Sequence, residues 1–212
     1  MTPMIIKVQD EKDMAAGLKK GAEVILAGGM VAIPTESFYG LAVNALDEKA
    51  VQLLLSGKKR GGGHPILILI PSEEVLTQYV AHIPEQAHAL MKAFWPGGLT
   101  LVFQADPRIS PLLTAGTGKI GVRLSGHPIA TGLARAAGVP ITGTSANISG
   151  QPPCMRAEEV LQALEGEVDV ILDGGKTQGG EGSTVLDVTV TPPEILREGM
   201  LGYEALKPYI SL

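Results

Sequence analysis

One cysteine, Cys154, is all that the sequence holds, which excludes an internal disulfide, a multi-thiolate metal site and a CxxC redox pair. No apolar run approaches the ~20 residues that span a bilayer. The N-terminal stretch MTPMIIKVQDEKDM passes from a short apolar patch straight into charges, so it lacks the core of a signal peptide. These absences point to a cytoplasmic protein with no membrane association. Two catalytic signatures are missing as well. Lys58 follows Gly57 but precedes Lys59 rather than Ser or Thr, which rules out the glycine-lysine loop of P-loop enzymes. Gly143 and Gly150 are wrongly spaced around Ser145 for a hydrolase nucleophile elbow. His64, His82 and His88 lack metal-ligand spacing.

What remains is a chain of 212 residues, 45% of them hydrophobic, which suffices for one sizeable α/β core, and residues 1–212 are expected to form a single domain. The net charge of -5 is unevenly spread. Residues 56–135 carry 8 basic and 4 acidic side chains, whereas 136–212 carry 4 and 11. An acidic shell around a local cationic cluster suits a small anionic ligand better than a long polyanion, which needs many phosphate contacts.

Strands and helices alternate along the chain. Strands are predicted near Ile5 to Val8 and at 30–33, 66–70, 99–103, 120–124, 139–142, 168–172 and 183–190. Asp10 is placed to cap a helix whose Met14, Leu18, Ala22 and Ile25 share a face, stopped by Gly28 and Gly29. Asp47 is the N-cap of a helix that ends at Gly57, Ser72 begins a helix through Tyr79, and Pro84 begins one carrying Ala87, Leu90, Met91 and Phe94. Further helices are expected at 128–137 and from Ala157 to Leu164. STVLDVTV and EILRE lie close enough to pair as a hairpin across TPP, so the expected α/β sheet is mixed rather than all parallel.

Polar side chains and glycines gather at strand ends, where α/β folds hold ligands. PTESFYG (34–40) presents Thr35, Glu36 and Ser37. Lys58, Lys59 and Arg60, followed by three glycines, are the densest positive charge, suited to phosphate or carboxylate oxygens or else to a solvated turn. GTSANISG (143–150) offers the hydroxyls of Thr144, Ser145 and Ser149 and the Asn147 amide. Arg123, in the apolar strand of VRLSGHP, needs an anionic partner if it points inward. His127, before Pro128, reads as a helix-entry hydrogen-bonder rather than a base, and Trp95 in FWPGGLT as a core anchor. GGEGSTV (179–185) adds Ser183, and LREG adds Arg197.

In this order, from about residue 10 to 200, these segments resemble the YrdC/Sua5 family: a PTET-type loop, KxR, a WPGPLT-like turn, VRxPxHP, TSANxSG, GSTV and a final RxG. The resemblance implies an open, twisted, mostly mixed α/β sheet with flanking helices and a cationic concave face. It implies a nucleotidyltransferase that joins L-threonine, bicarbonate and ATP into threonylcarbamoyl-AMP and pyrophosphate for the t6A modification of tRNA. By motif, Lys58, Arg60, Ser145 and Asn147 would form the central quartet on the ATP phosphates and carbamate. Lys119 and Arg197 would assist at the nucleotide, and Thr35, Arg123 and Ser183 would hold threonine, with Arg123 on its carboxylate. Magnesium is expected with ATP, without a dedicated protein site. RNA contact and tRNA-modification partner proteins are further implied, so a non-catalytic RNA-binding paralogue, or carbamoyl transfer to a different acceptor, are the alternatives. Ser37, Gly61, Gly98 and Ser125 depart from the family's usual threonine and prolines, and some members carry histidine at Leu69.

Overall fold

The computed structural model describes residues 2–58 and 63–210. In chain order the elements are β1 (Met4–Lys7), α1 (Glu11–Leu26), β2 (Val31–Pro34), β3 (Tyr39–Ala42), α2 (Glu48–Gly57), β4 (Leu67–Leu69), a 3-10 helix (Glu73–Gln78), α3 (Glu85–Phe94) and β5 (Leu99–Gln104). They continue through α4 (Pro111–Thr114), β6 (Lys119–Arg123), α5 (Pro128–Ala137), β7 (Ile141–Ser145), α6 (Ala157–Ala163), β8 (Val170–Asp173), β9 (Thr184–Asp187), β10 (Glu194–Arg197) and α7 (Tyr203–Ile210). The strands form one open sheet in the order β1-β8-β2-β3-β7-β4-β6-β5-β9-β10, with parallel and antiparallel neighbours mixed. The β9–β10 pair is the antiparallel hairpin expected from the sequence.

Local chemistry sets the helix ends. Asp10 accepts the Asp13 N–H at 2.8 Å, and Asp47 accepts those of Lys49 and Ala50, so both predicted caps form. Pro128 opens α5 and Gly138, at φ 66°, closes it in the left-handed conformation that glycine adopts without strain. His127 caps the same helix, its Nδ1 accepting the Ile129 N–H.

Four predicted elements differ from the structure. PTESFYG is not only a loop, because Tyr39–Ala42 pairs back on β2 and leaves residues 35–38 as the hairpin turn. The Thr35 N–H and hydroxyl both bond the Phe38 carbonyl, which closes that turn. Ser72 makes no capping bond, and the segment after it winds as a 3-10 helix. β7 runs to Ser145 instead of ending at 142, paired with β3 and β4. β9 is confined to Thr184–Asp187, where the Asp187 carboxylate takes the Thr189 N–H and hydroxyl and turns the chain away. The helices α4 and α7 were not anticipated, although α4 has a helix-start signal in Ser110, whose hydroxyl accepts the Leu112 N–H, followed by Pro111.

The sheet buries both faces unequally. Helices α1 and α5 pack together on one face against Val31, Ile33, Ile141, Val170 and Leu172. Their approach relies on missing side chains: a Cβ at Gly21 would sit 2.9 Å from Leu133, and one at Gly132 2.7 Å from Leu18. The opposite face is covered along its length by α2, α3, α6 and α7 around Leu54, Leu90, Phe103 and Leu206. On the α1/α5 face, α5 reaches as far as Leu69 of β4, and beyond it β6, β5 and β9 line an open cavity. No helix among the described residues is long and apolar enough to cross a membrane.

Leu133 is fully buried at the α1–α5 contact. Leu133→Ala is expected to lower the free energy of unfolding by about 2–5 kcal/mol, measured by urea denaturation with the slope unchanged.

Candidate functional site

The open part of the sheet is a cavity of about 720 Å³, within the size range of small-molecule sites. The pleat builds it. Alternate residues of each strand point to opposite faces, so Thr100 and Val102 of β5, Lys119, Gly121 and Arg123 of β6, and Val185 and Asp187 of β9 line the cavity. Their neighbours Leu99, Leu101, Phe103, Ile120, Val122 and Leu186 enter the core beneath. Two glycines deepen the floor: a Cβ at Gly143 would meet Leu67 at 2.5 Å, and one at Gly121 would sit 3.2 Å from both Leu67 and Thr100.

Thr35, Lys119, Arg123, Ser145, Ser183 and Arg197 all line this one cavity. A second cavity of about 530 Å³ adjoins it through Thr144 and Ser145, and is lined by Lys58, His64, Asn147 and Ser149. Of the predicted site residues, Arg60 lies outside the described residues, as does Gly61. The other eight converge on this pair of cavities.

Lys58 is buried, and its ammonium donates to the Ser145 carbonyl, the Asn147 carbonyl at 2.9 Å and the Asn147 side-chain oxygen at 3.2 Å. Ser145 donates its hydroxyl to the same Asn147 oxygen at 2.6 Å, and the Asn147 amide nitrogen donates to the Gln151 carbonyl. The lysine thus shapes the 145–147 loop as well as charging it. A buried ammonium needs such a ring of acceptors.

The cations of the larger cavity are also tied down. Lys119 reaches across β5 to Asp187 at 2.7 Å. Burial pushes the Asp187 carboxyl up, but hydrogen bonds from Lys119 and Thr189 outweigh it and hold the group below its ordinary value. Arg197 donates to the Ser183 carbonyl at 2.7 Å and to its hydroxyl at 3.3 Å, and that hydroxyl also shares a 2.8 Å bond with Thr100. The β9–β10 approach requires Gly199, since a Cβ there would overlap the Gly182 carbonyl.

Arg123, at 5% exposure, finds the anionic partner that its place in an apolar strand demands. Its Nη2 lies 2.6 Å from the Glu36 carboxylate and its Nε donates to the Gly97 carbonyl at 2.8 Å. Glu36 also accepts the Gly126 N–H at 2.7 Å and the Ser125 hydroxyl at 3.0 Å. Burial raises the Glu36 carboxyl, yet the Arg123 charge and the backbone donors prevail and leave it lowered. Burial likewise lowers the His127 imidazole, consistent with Nδ1 acting as an acceptor. Trp95 is buried as expected, donating to the Leu99 carbonyl at 2.7 Å. Gly98 makes room for Met200, whose sulfur would lie 3.0 Å from a Cβ there.

Glu36 and Asp187 are the ion-pair partners of cavity cations that the sequence left unassigned. Both had a signal. Arg123 called for a buried acid, and Asp187 falls on the same strand face as Val185, a lone carboxylate in an apolar run.

The class is an α/β fold whose open mixed sheet carries, on its uncovered face, a small-molecule-sized cavity into which charged and hydroxyl side chains converge. The chain belongs to the Sua5/YciO/YrdC family, whose description reads telomere recombination and which is matched over residues 23–199. It is 41% identical to the threonylcarbamoyl-AMP synthase of Pyrococcus abyssi over 193 residues, covering 91% of this chain and 57% of that protein. The Bacillus subtilis threonylcarbamoyl-AMP synthase is 38% identical over 194 residues, covering 91% and 56%. The solved P. abyssi Sua5 complexed with L-threonine superposes with a TM-score of 0.91 at 38% identity, over 99% of this chain and 61% of that one. The chain therefore spans less than two thirds of these relatives' length.

The Glu36 pair has a pH signature. A lowered folded-state pKa stabilises the fold above the unfolded value, about 4.3 for glutamate, and that stabilisation is lost as the pH falls through the lower folded value. The melting temperature of Glu36→Gln is expected to lie below that of the unsubstituted protein at neutral pH. The gap should stay level down to about pH 5 and shrink on further acidification.

Proposed function

We propose that the chain is an L-threonylcarbamoyladenylate synthase, acting in the cytoplasm as one unit over residues 1–212 to supply the t6A modification of tRNA. The observation that carries this reading is the convergence of Thr35, Arg123 and Ser183 on one cavity, in a fold that superposes on a relative complexed with L-threonine. The adjoining cavity, with Lys58, Ser145 and Asn147, supports a neighbouring place for the triphosphate.

The chemistry suits such an arrangement. The neutral threonine amine adds to carbon dioxide drawn from bicarbonate, giving a carbamate. A carbamate oxygen then attacks the α-phosphorus of ATP, and the bond to pyrophosphate breaks. Both reactants are anions, so the work is alignment and charge neutralisation more than proton transfer. Arg123 would take the threonine carboxylate, with Thr35 and Ser183 hydroxyls beside it. Lys58 would hold the 145–147 loop in shape and supply positive potential, while Ser145 and Asn147 turn their donors to phosphate or carbamate oxygens. Lys119 and Arg197 would face the nucleotide, joined by Arg60.

Among the described residues no cluster of three His, Cys, Asp or Glu side chains offers a metal site. Magnesium would arrive on the triphosphate's own oxygens, where it would offset phosphate charge.

Incubation with ATP, labelled bicarbonate and a panel of amino acids is expected to release pyrophosphate with L-threonine. Turnover independent of threonine, or RNA affinity that survives loss of Lys58 and Arg60 in a protein with no turnover, would overturn the reading. Lys58→Ala should lower kcat/KM by about 100-fold or more, through loss of preorganised charge and loop shape.

A further inference from the structure

The two cavities differ in how their cations are balanced. In the larger one Lys119 is matched by Asp187 and Arg123 by Glu36. In the adjoining one Lys58 is met by carbonyl and amide oxygens, and no acidic residue is among the described lining residues. Arg197, which also lines the larger cavity, is met by the Ser183 carbonyl and hydroxyl rather than by an acid, so it is at Lys119 and Arg123 that donors are kept with their charge offset.

Glu36 is built to stay in place. The Gly126 N–H and the Ser125 hydroxyl hold its carboxylate independently of Arg123. Ser125 contributes a donor that a proline at this position would lack. Together with the Gly97 carbonyl, Glu36 takes both ends of the Nε–Nη2 edge of the guanidinium, the edge that would otherwise grip an oxyanion two-handed. The Nη2 contact with Glu36 is an ion pair, and this buried nitrogen has no hydrogen-bond partner among the described residues.

A fixed carboxylate behind Arg123 repels a phosphate dianion about twice as strongly as a singly charged carboxylate, since Coulomb energy scales with ligand charge. An unmatched arginine would do the reverse and favour phosphate. We propose that Glu36 is a specificity-determining residue: paired with Arg123 and anchored by Ser125, it admits an amino-acid carboxylate at Arg123 and excludes phosphate from that position. The choice of threonine and ATP as ligands rests on the proposed function, but the exclusion of phosphate at Arg123 does not.

The test is calorimetric titration of L-threonine with and without millimolar inorganic phosphate, alongside the side-chain ¹⁵N signals of Arg123 as phosphate is added. In the unsubstituted protein phosphate should leave threonine affinity within about twofold and the Arg123 signals unmoved. In Glu36→Gln phosphate should weaken threonine binding by about 10-fold and shift those signals, the size expected for removing a like-charge contact. Glu36→Asp should restore exclusion. Ser125→Ala, which loosens the carboxylate but keeps its charge, should show the same direction more weakly, and it carries the test if Glu36→Gln does not fold. Phosphate acting equally on the parent and the variants, or on none of them, overturns the proposal. If the parent binds no threonine, the threonine assignment fails, and the Arg123 signals alone decide the role of Glu36.

Discussion

The two-residue period of the pleat is the constraint from which the site follows. Strands β5, β6 and β9 each give one set of side chains to the core and the other to the cavity, so packing and ligand contact are set by the same register. A slip of one residue in β6 would drive Arg123 and Lys119 into the apolar core and expose Ile120 and Val122. The dense packing of Leu101, Phe103 and Leu186 beneath the sheet is therefore what fixes the polar groups above it.

Polar groups on such a rigid face must be satisfied before a ligand comes. Lys58 is ringed by oxygens, Lys119 and Arg123 by carboxylates, and Arg197 by the Ser183 carbonyl. Taking a charge out of water is costly, and pairing offsets that cost without adding much net stability. What the pairs add is orientation. Donors that are already aimed need little reorganisation when charge develops nearby, which is how preorganised sites stabilise transition states.

Much of this was legible from residue order. Caps at Asp10 and Asp47, the Gly138 stop and the β9–β10 hairpin follow from local chemistry, and motif order pointed to the family and to eight described residues that line the two cavities. Less legible was anything that depends on long-range pairing. Tyr39–Ala42 is short and contains glycine, and it becomes a strand because β2 and β7 flank it. Arg123 was assigned to a ligand while its protein partner, Glu36, lies 87 positions earlier in the chain, beyond the reach of spacing arguments.

The strand order also bears on when the site comes into being. Neighbours in the sheet are remote in sequence: β1 pairs with β8, β3 with β7 and β5 with β9. Thr35 emerges early from a ribosome, whereas Arg197 belongs to the edge strand beside β9 and emerges near the end. A nascent chain holds no complete binding surface until almost the whole sheet has been synthesised, and contacts of such wide separation assemble slowly. Any ligand that needs the complete surface is thereby kept from binding during translation by topology alone.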